Sequence, residues 1–173
     1  MSLNPVVHID PIGTLLLPLI AAWSGLPIIG WAKPVPVVVG HLRRGRRDFV
    51  TVAAAGPASN LLQAVLAAVI FHLVIGEGGW PAYLCARFVE INLLLAFFNL
   101  VPVPPLDGGN VLAGLLPEGA EPLFAMLRQY GFIILYVLML TGVLSYIVLP
   151  PTWLFRSALQ IPPSQVFEGV LYQ

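Results

Sequence analysis

The sequence predicts an all-α integral membrane protein of about four transmembrane helices, with a proline-rich break at an Asp-Gly motif. Three observations carry that prediction. The chain is 58% hydrophobic and only 9% charged, with a mean hydropathy of +0.91, whereas about a quarter of the residues of a soluble domain are charged. Its few charges are clustered, and they leave uncharged stretches of about 20 residues or more, the length a helix needs to cross a bilayer. A further apolar stretch runs into Pro102, Pro104 and Pro105 and then Asp107-Gly108-Gly109. Prolines remove backbone donors and stop a regular helix, and unwound backbone at membrane depth survives where protein or a watery cavity covers it.

The net charge of zero gives no electrostatic basis for binding nucleic acid, so the expected surroundings are the lipid bilayer. The single cysteine, Cys85, cannot form an intrachain disulfide and reads as a small packing residue. Internal repeats, low-complexity tracts and nucleotide-binding glycine patterns are absent from the sequence. The membrane-embedded domain is expected over residues 1–151, followed by a polar, proline-containing tail over 152–173.

From the amino-terminal end, no Lys or Arg precedes Leu15, so the start does not read as a cleaved signal peptide. The uncharged stretch from Pro11 to Ala32 is long enough to span, and Pro18, Gly25, Pro27 and Gly30 predict a kinked or re-entrant path. Pro-Val-Pro-Val-Val-Val, beginning at Pro34, has the β-branched character of a short edge strand. Arg43, Arg44, Arg46 and Arg47 form the densest charge cluster. A cluster of this kind in a short loop stays in the cytoplasm, which orients loop 41–47 and the flanking spans. A phosphate or anionic-lipid site is the alternative use of those arginines.

Phe49 to Ile75 is the clearest span. Its small residues, Ala53 to Ala55, Gly56, Ala58 and Ser59, predict close approach of a neighbouring helix. Asn60 within it needs a partner, as interhelical glue or as a ligand contact. His72, near the far end, reads as an interfacial side chain. After a turn at Gly76 to Pro81, a third span runs from about Tyr83 to Val101, with Trp80 and Tyr83 suited to an aromatic belt. Arg87 and Glu90 are three apart and can pair on one helix face; Asn92 and Asn99 are buried amides. Leu112 to Gln129 reads as a loop with a short amphipathic helix. A fourth span is expected from Tyr130 to Leu149, closed by Pro150 and Pro151.

The chemistry centres on Asp107. An ionised carboxylate at the edge of hydrocarbon needs a cation, a metal or a donor, and so marks a functional site. The alternative is a solvated turn, for which Pro and Asp-Gly are ordinary residues.

Three separated stretches resemble the site-2 protease family, intramembrane zinc metalloproteases, in its compact bacterial and archaeal branch. They are Leu3-Asn4-Pro5-Val6-Val7-His8-Ile9-Asp10-Pro11-Ile12-Gly13, Ala55-Gly56-Pro57-Ala58-Ser59-Asn60, and Phe98-Asn99-Leu100-Val101-Pro102-Val103-Pro104-Pro105-Leu106-Asp107-Gly108-Gly109. Gly30 to Val37 is similar to that branch's loop between spans. The resemblance covers roughly Leu3 to Leu116, with the pieces in the family's order.

What the resemblance implies is a zinc ion held by two histidines of an HExxH helix and by the aspartate of an Asp-Gly motif. Asp107 would then be the third zinc ligand. Asn60 would line the cleft and hold a substrate strand, Asn99 with the proline-rich break would shape the wall, and His8 would lie near the site. The substrate class implied is a transmembrane protein or peptide, and the location a prokaryotic cell membrane. The sequence departs from the pattern in one respect: it holds no HExxH, and His8, His41 and His72 are too scattered to present two ligands at i and i+4. Two expectations follow. Either Met1 is an internal methionine and the catalytic helix precedes it, or the chain is an inactive pseudoprotease that binds or sequesters a membrane partner. A small transporter or channel subunit is a third reading of the buried amides and acid.

Overall fold

The computed structural model describes residues 16–24, 46–74 and 78–165. The chain forms two compact units, Met1–Val38 and Val39–Gln173. In the first, the described element is helix α1, Leu17–Ser24, near whose end Ser24 Oγ donates to the Ile20 carbonyl at 2.8 Å. The rest of the Pro11 to Ala32 stretch, the expected edge strand, His8, His41, Arg43 and Arg44 lie outside the described residues.

The second unit is built from α2 (Arg46–Val74), α3 (Gly79–Asn99), α4 (Asp107–Leu115), a single 3-10 turn (Glu118–Ala120), α5 (Glu121–Leu140) and α6 (Val143–Ala158). All regular structure among the described residues is helical. Three helices there are long and apolar enough to cross a membrane: Asp48–Val74, Gly79–Asn99 and Pro122–Leu140. The first, with 27 residues, is roughly 40 Å long at 1.5 Å per residue. Pro57 sits inside α2, fully buried, where it withholds a ladder donor from the Ala53 carbonyl, and the Ser59 hydroxyl folds back onto the Gly56 carbonyl at 2.7 Å.

The core between α2 and α3 is chosen by size, because in lipid both faces of a spanning helix are apolar. Ala64, Ala67, Ala68 and Phe71 of α2 meet Ala82, Ala86, Val89 and Leu93 of α3. The outward positions carry the bulk: Leu66, Val69, Ile70 and Leu73 on α2, and Leu84, Phe88 and Ile91 on α3. Small side chains let two backbones approach, and that packing drives association where lipid removes the hydrophobic contrast. Cys85 packs against this cluster, as a small packing residue should.

A second cluster joins the segment after α3 to the last two helices. Val101 and Leu106 pack with Leu135 of α5 and with Leu144 and Val148 of α6, while Phe97 meets Phe155 edge to face at 5.1 Å.

Three sequence expectations are corrected here. The span expected from Tyr130 to Leu149 is two helices, because α5 stops at Leu140 and Gly142 adopts a left-handed conformation at φ 76° that glycine reaches without steric cost. Pro122, read as part of a loop, instead starts α5, within its first two positions, where its missing N–H is no loss. Pro150 and Pro151, read as terminators, lie inside α6, which continues because Leu144, Val148 and Thr152 are buried on its packed face; Thr152 Oγ1 also donates to the Val148 carbonyl at 2.8 Å.

Residues 152–165 likewise differ from the expected polar, surface-lying tail, since Thr152, Ile161 and Ser164 are buried. The cause is a polar clasp on α3. Glu90 accepts from Arg156 Nη1 at 3.1 Å, from the Ser164 backbone N–H at 3.0 Å and from Ser164 Oγ at 2.7 Å. The expected Arg87–Glu90 pair is also present, at 3.6 Å. From α2, His72 Nε2 donates to the Leu159 carbonyl at 3.0 Å, capping a carbonyl that the end of α6 leaves orphaned.

Candidate functional site

The break after α3 is a chain of tight turns whose backbone groups are largely paired. Leu100 N–H donates to Ala96 O at 3.0 Å, Val101 N–H to Phe98 O at 3.1 Å, Val103 N–H to Val101 O at 2.8 Å, and Leu106 N–H to Val103 O at 3.0 Å. Pro102, Pro104 and Pro105 contribute no donors, which is why the helical ladder cannot run through. The Pro104–Pro105 peptide is cis. Helix α4 then restarts with Asp107 as its first residue and the extended Leu106 as its N-cap. A carboxylate in a first helical turn is favoured by the dipole.

The Asp107 side chain does not cap that helix, and among the described residues it has no hydrogen-bond or ion-pair partner. It is directed at α2 instead. A Cβ placed on Gly56 would lie 2.6 Å from Asp107 Oδ2, so the small-residue surface of α2 is what admits the carboxylate. Asp107 lies outside the three spans, and burial pushes its carboxyl above the usual carboxylate range. A desolvated acid with no donor or cation among the described residues suits a bound cation.

Asn60 lies one turn beyond Gly56 on the same face of α2. It is half-buried, and its amide has no hydrogen-bond partner among the described residues. Asn99 is turned to its own helix, donating through Nδ2 to the Leu95 carbonyl at 2.9 Å; Asn92 does the same to Phe88 at 2.9 Å. The structure therefore brings Asp107 and Gly56 together, with Asn60 adjacent along α2. It does not bring His72 to them: that residue is 16 positions beyond Gly56 in the same helix, roughly 24 Å along the axis. His8 is outside the described residues.

Sequence reasoning gave Gly56 only a packing role and passed over Asn110. Asn110 is half-buried and three residues after Asp107, hence its neighbour on the surface of α4. The spacing Asp-x-x-Asn within one helix was the available signal.

The described residues contain no group of three or more His, Cys, Asp or Glu able to hold a metal. Asp107 fits one place in such a site, as a hard anionic oxygen donor with no competing partner among the described residues. A catalytic zinc takes three protein ligands and a water, so these residues fit one ligand of a zinc site and do not make up the set.

Comparison with known proteins points the same way. Residues 77–142 match Peptidase family M50. Three relatives carry the name "Putative zinc metalloprotease". YwhC of Bacillus subtilis is 34% identical over 99% of this chain and 78% of its own length. Rip2 of Mycolicibacterium smegmatis is 31% identical over 84% of this chain and 55% of its own length. MJ0611 of Methanocaldococcus jannaschii is 40% identical over 38% of this chain and 37% of its own length. No solved structure matches. The extent of the YwhC match, together with the spanning helices, defines the chain as a membrane protein of the site-2 protease class. It belongs to peptidase family M50.

Proposed function

We propose that this chain carries the Asp-Gly half of the catalytic centre of an intramembrane zinc endopeptidase that hydrolyses peptide bonds in or near transmembrane segments. The observation that carries the reading is the Asp107 carboxylate, which starts α4, is half-buried against Gly56 of α2 and has no partner among the described residues. In this reading Asp107 is the third zinc ligand, and the HExxH histidines and glutamate come from a segment not among these residues. When bound, zinc supplies a Lewis acid and lowers the pKa of a coordinated water. Asn60 lines the cleft and hydrogen-bonds an extended substrate strand, and Asn99 with the break shapes the wall beside it. The arginines of loop 41–47 face the cytoplasm, which sets Asp107 toward that side, because α2 begins and α3 ends there. The substrate is a transmembrane helix or a released membrane peptide.

Two measurements test this reading. The intact mass of the native, membrane-extracted protein, read beside the genomic sequence upstream of Met1, is expected to reveal an HExxH; an upstream frame without one refutes the proposal. In the native protein, Asp107→Ala is expected to lose zinc and cleavage with insertion intact, and retained activity refutes its role as a ligand.

A second reading rests on one observation, that the 173 residues contain no HExxH: a pseudoprotease that binds or sequesters a membrane partner through the same cleft. A native product that begins at Met1, is stable without metal and captures a transmembrane peptide favours it.

A further inference from the structure

The turn that carries Asp107 is gripped on two sides through one residue, Pro104, which is buried. On one side is α4: a Cβ on Gly109 would lie 2.7 Å from the Val103 carbonyl carbon and 2.8 Å from Pro104 Cδ, and would overlap the Pro104 nitrogen. On the other side is α5: a Cβ on Gly131 would overlap the Pro104 carbonyl oxygen and lie 2.8 Å from its carbon and 3.2 Å from Pro104 Cβ. One turn further along α5, Leu135 packs in the same cluster as Val101 and Leu106, and Leu106 is the residue immediately before Asp107. One face of α5 is thus seated on the turn at Pro104 and at Leu106.

From this geometry we infer that Gly131 is a positioning residue for the Asp107 carboxylate, with α5 setting the place of the carboxylate through Pro104. Gly131 lies outside the motif stretches quoted from the sequence, though inside the matched residues 77–142, and nothing in its local sequence marks it. The contact is with backbone, which cannot rotate aside as a side chain can. A close-packed interior passes such a displacement on to its neighbours. An added methyl at 131 moves Pro104 away from α5, and Gly109 blocks the return on the α4 side. The displacement therefore goes into the segment Pro104 to Asp107, and it withdraws the carboxylate from Gly56. The consequence for metal binding rests on the reading of Asp107 as a ligand; the consequence for the position of the carboxylate does not.

The experiment uses the native protein in lipid nanodiscs, stripped of metal, and measures the rate at which Asp107 is modified by a water-soluble carbodiimide and an amine, by peptide mass spectrometry. Gly131→Ala is expected to speed modification by about threefold or more, as solvent reaches a carboxyl no longer covered by α2. Ile133→Ala, at an exposed position of the same helix, is expected to leave the rate unchanged. Thermal unfolding accompanies each variant. If Gly131→Ala does not fold, Leu135→Ala takes its place, since it loosens the same contact without an overlap and is expected to speed modification as well. A folded variant whose Asp107 reacts at the wild-type rate or more slowly overturns the inference.

Zinc titration then separates the two claims. Loss of affinity in Asp107→Ala together with a drop of about tenfold in Gly131→Ala supports both, the lower end of the roughly 10- to 100-fold lost in metal affinity when a group that orients a metal ligand is changed. Full zinc affinity in Asp107→Ala refutes the ligand assignment, and the positioning inference is then decided by the modification rate alone.

Discussion

Replacing Gly56 by alanine separates the stability of the fold from the function of the site. The added Cβ would lie 2.6 Å from Asp107 Oδ2, and ordinary contact begins near 3.4 Å, so the carboxylate must retreat by about 0.8 Å (3.4 − 2.6), near the scale on which a ligand misplacement costs ~10²-fold in rate. The atom that moves is the end of a side chain with two rotatable bonds. Holding it off its preferred rotamer costs about 0.5–1.5 kcal/mol. Against that, glycine to alanine inside a helix gains roughly 1 kcal/mol of propensity. The two terms nearly cancel, so the midpoint of thermal unfolding is expected to change by only a few degrees. Zinc affinity and cleavage of a transmembrane substrate are expected to fall sharply. Scanning fluorimetry in detergent, metal titration and a cleavage assay on the native protein read all three. Undiminished zinc affinity would show that the carboxylate is not confined by Gly56, and a loss of more than about 3 kcal/mol of stability would show that backbone, not a side chain, had moved.

Three further outcomes follow from the packing. Glu90→Ala leaves Arg156, part-buried with its side chain 18% exposed, without its carboxylate partner, at a cost of up to about 3 kcal/mol, the low end of the range for a buried pair; Glu90→Gln should cost less, and limited proteolysis should report release of residues 159–165 in the alanine variant first. Ala86→Leu, at a fully buried position in the α2–α3 contact, is expected to destabilise by about 1–3 kcal/mol or more through overpacking, and a variant as stable as wild type would mean that the helices are not in close contact there. Asn60→Ala is expected to reduce cleavage with zinc retained, measured by metal content beside turnover; loss of metal would place the amide in the metal's coordination rather than in the cleft.

The parts legible in the sequence are those that depend on a local window. Transfer of a segment into lipid is a sum over its own residues, so α2 and α3 could be read from composition with ends within a few residues. The interruption at Pro102 to Pro105 was equally readable, because a missing N–H breaks a ladder wherever it occurs. Asp107 stood out because an acid beside hydrocarbon needs a partner, and the three separated motifs named the family before any contact was known. The Arg87–Glu90 pair was legible for the same reason, as a relation between residues three apart in one helix.

What tertiary structure alone decided involves residues far apart in the chain. Hydropathy does not say which face of α3 is buried, since both faces are apolar; the meeting of Ala82 and Ala86 with α2 settles it by size. Pro150 and Pro151 had the local chemistry of a stop, but a helix packed through Leu144, Val148 and Thr152 runs through them. The segment 159–165 has the composition of a tail and is held down by Glu90, more than 70 residues earlier in the chain. The closeness of Gly56 to Asp107, and of Gly131 to Pro104, appears in no window of sequence. Each depends on a distant residue, the Asp107 side chain in one case and the Pro104 backbone in the other, arriving within a methyl group of the glycine, and a glycine records that such room is needed without saying what fills it.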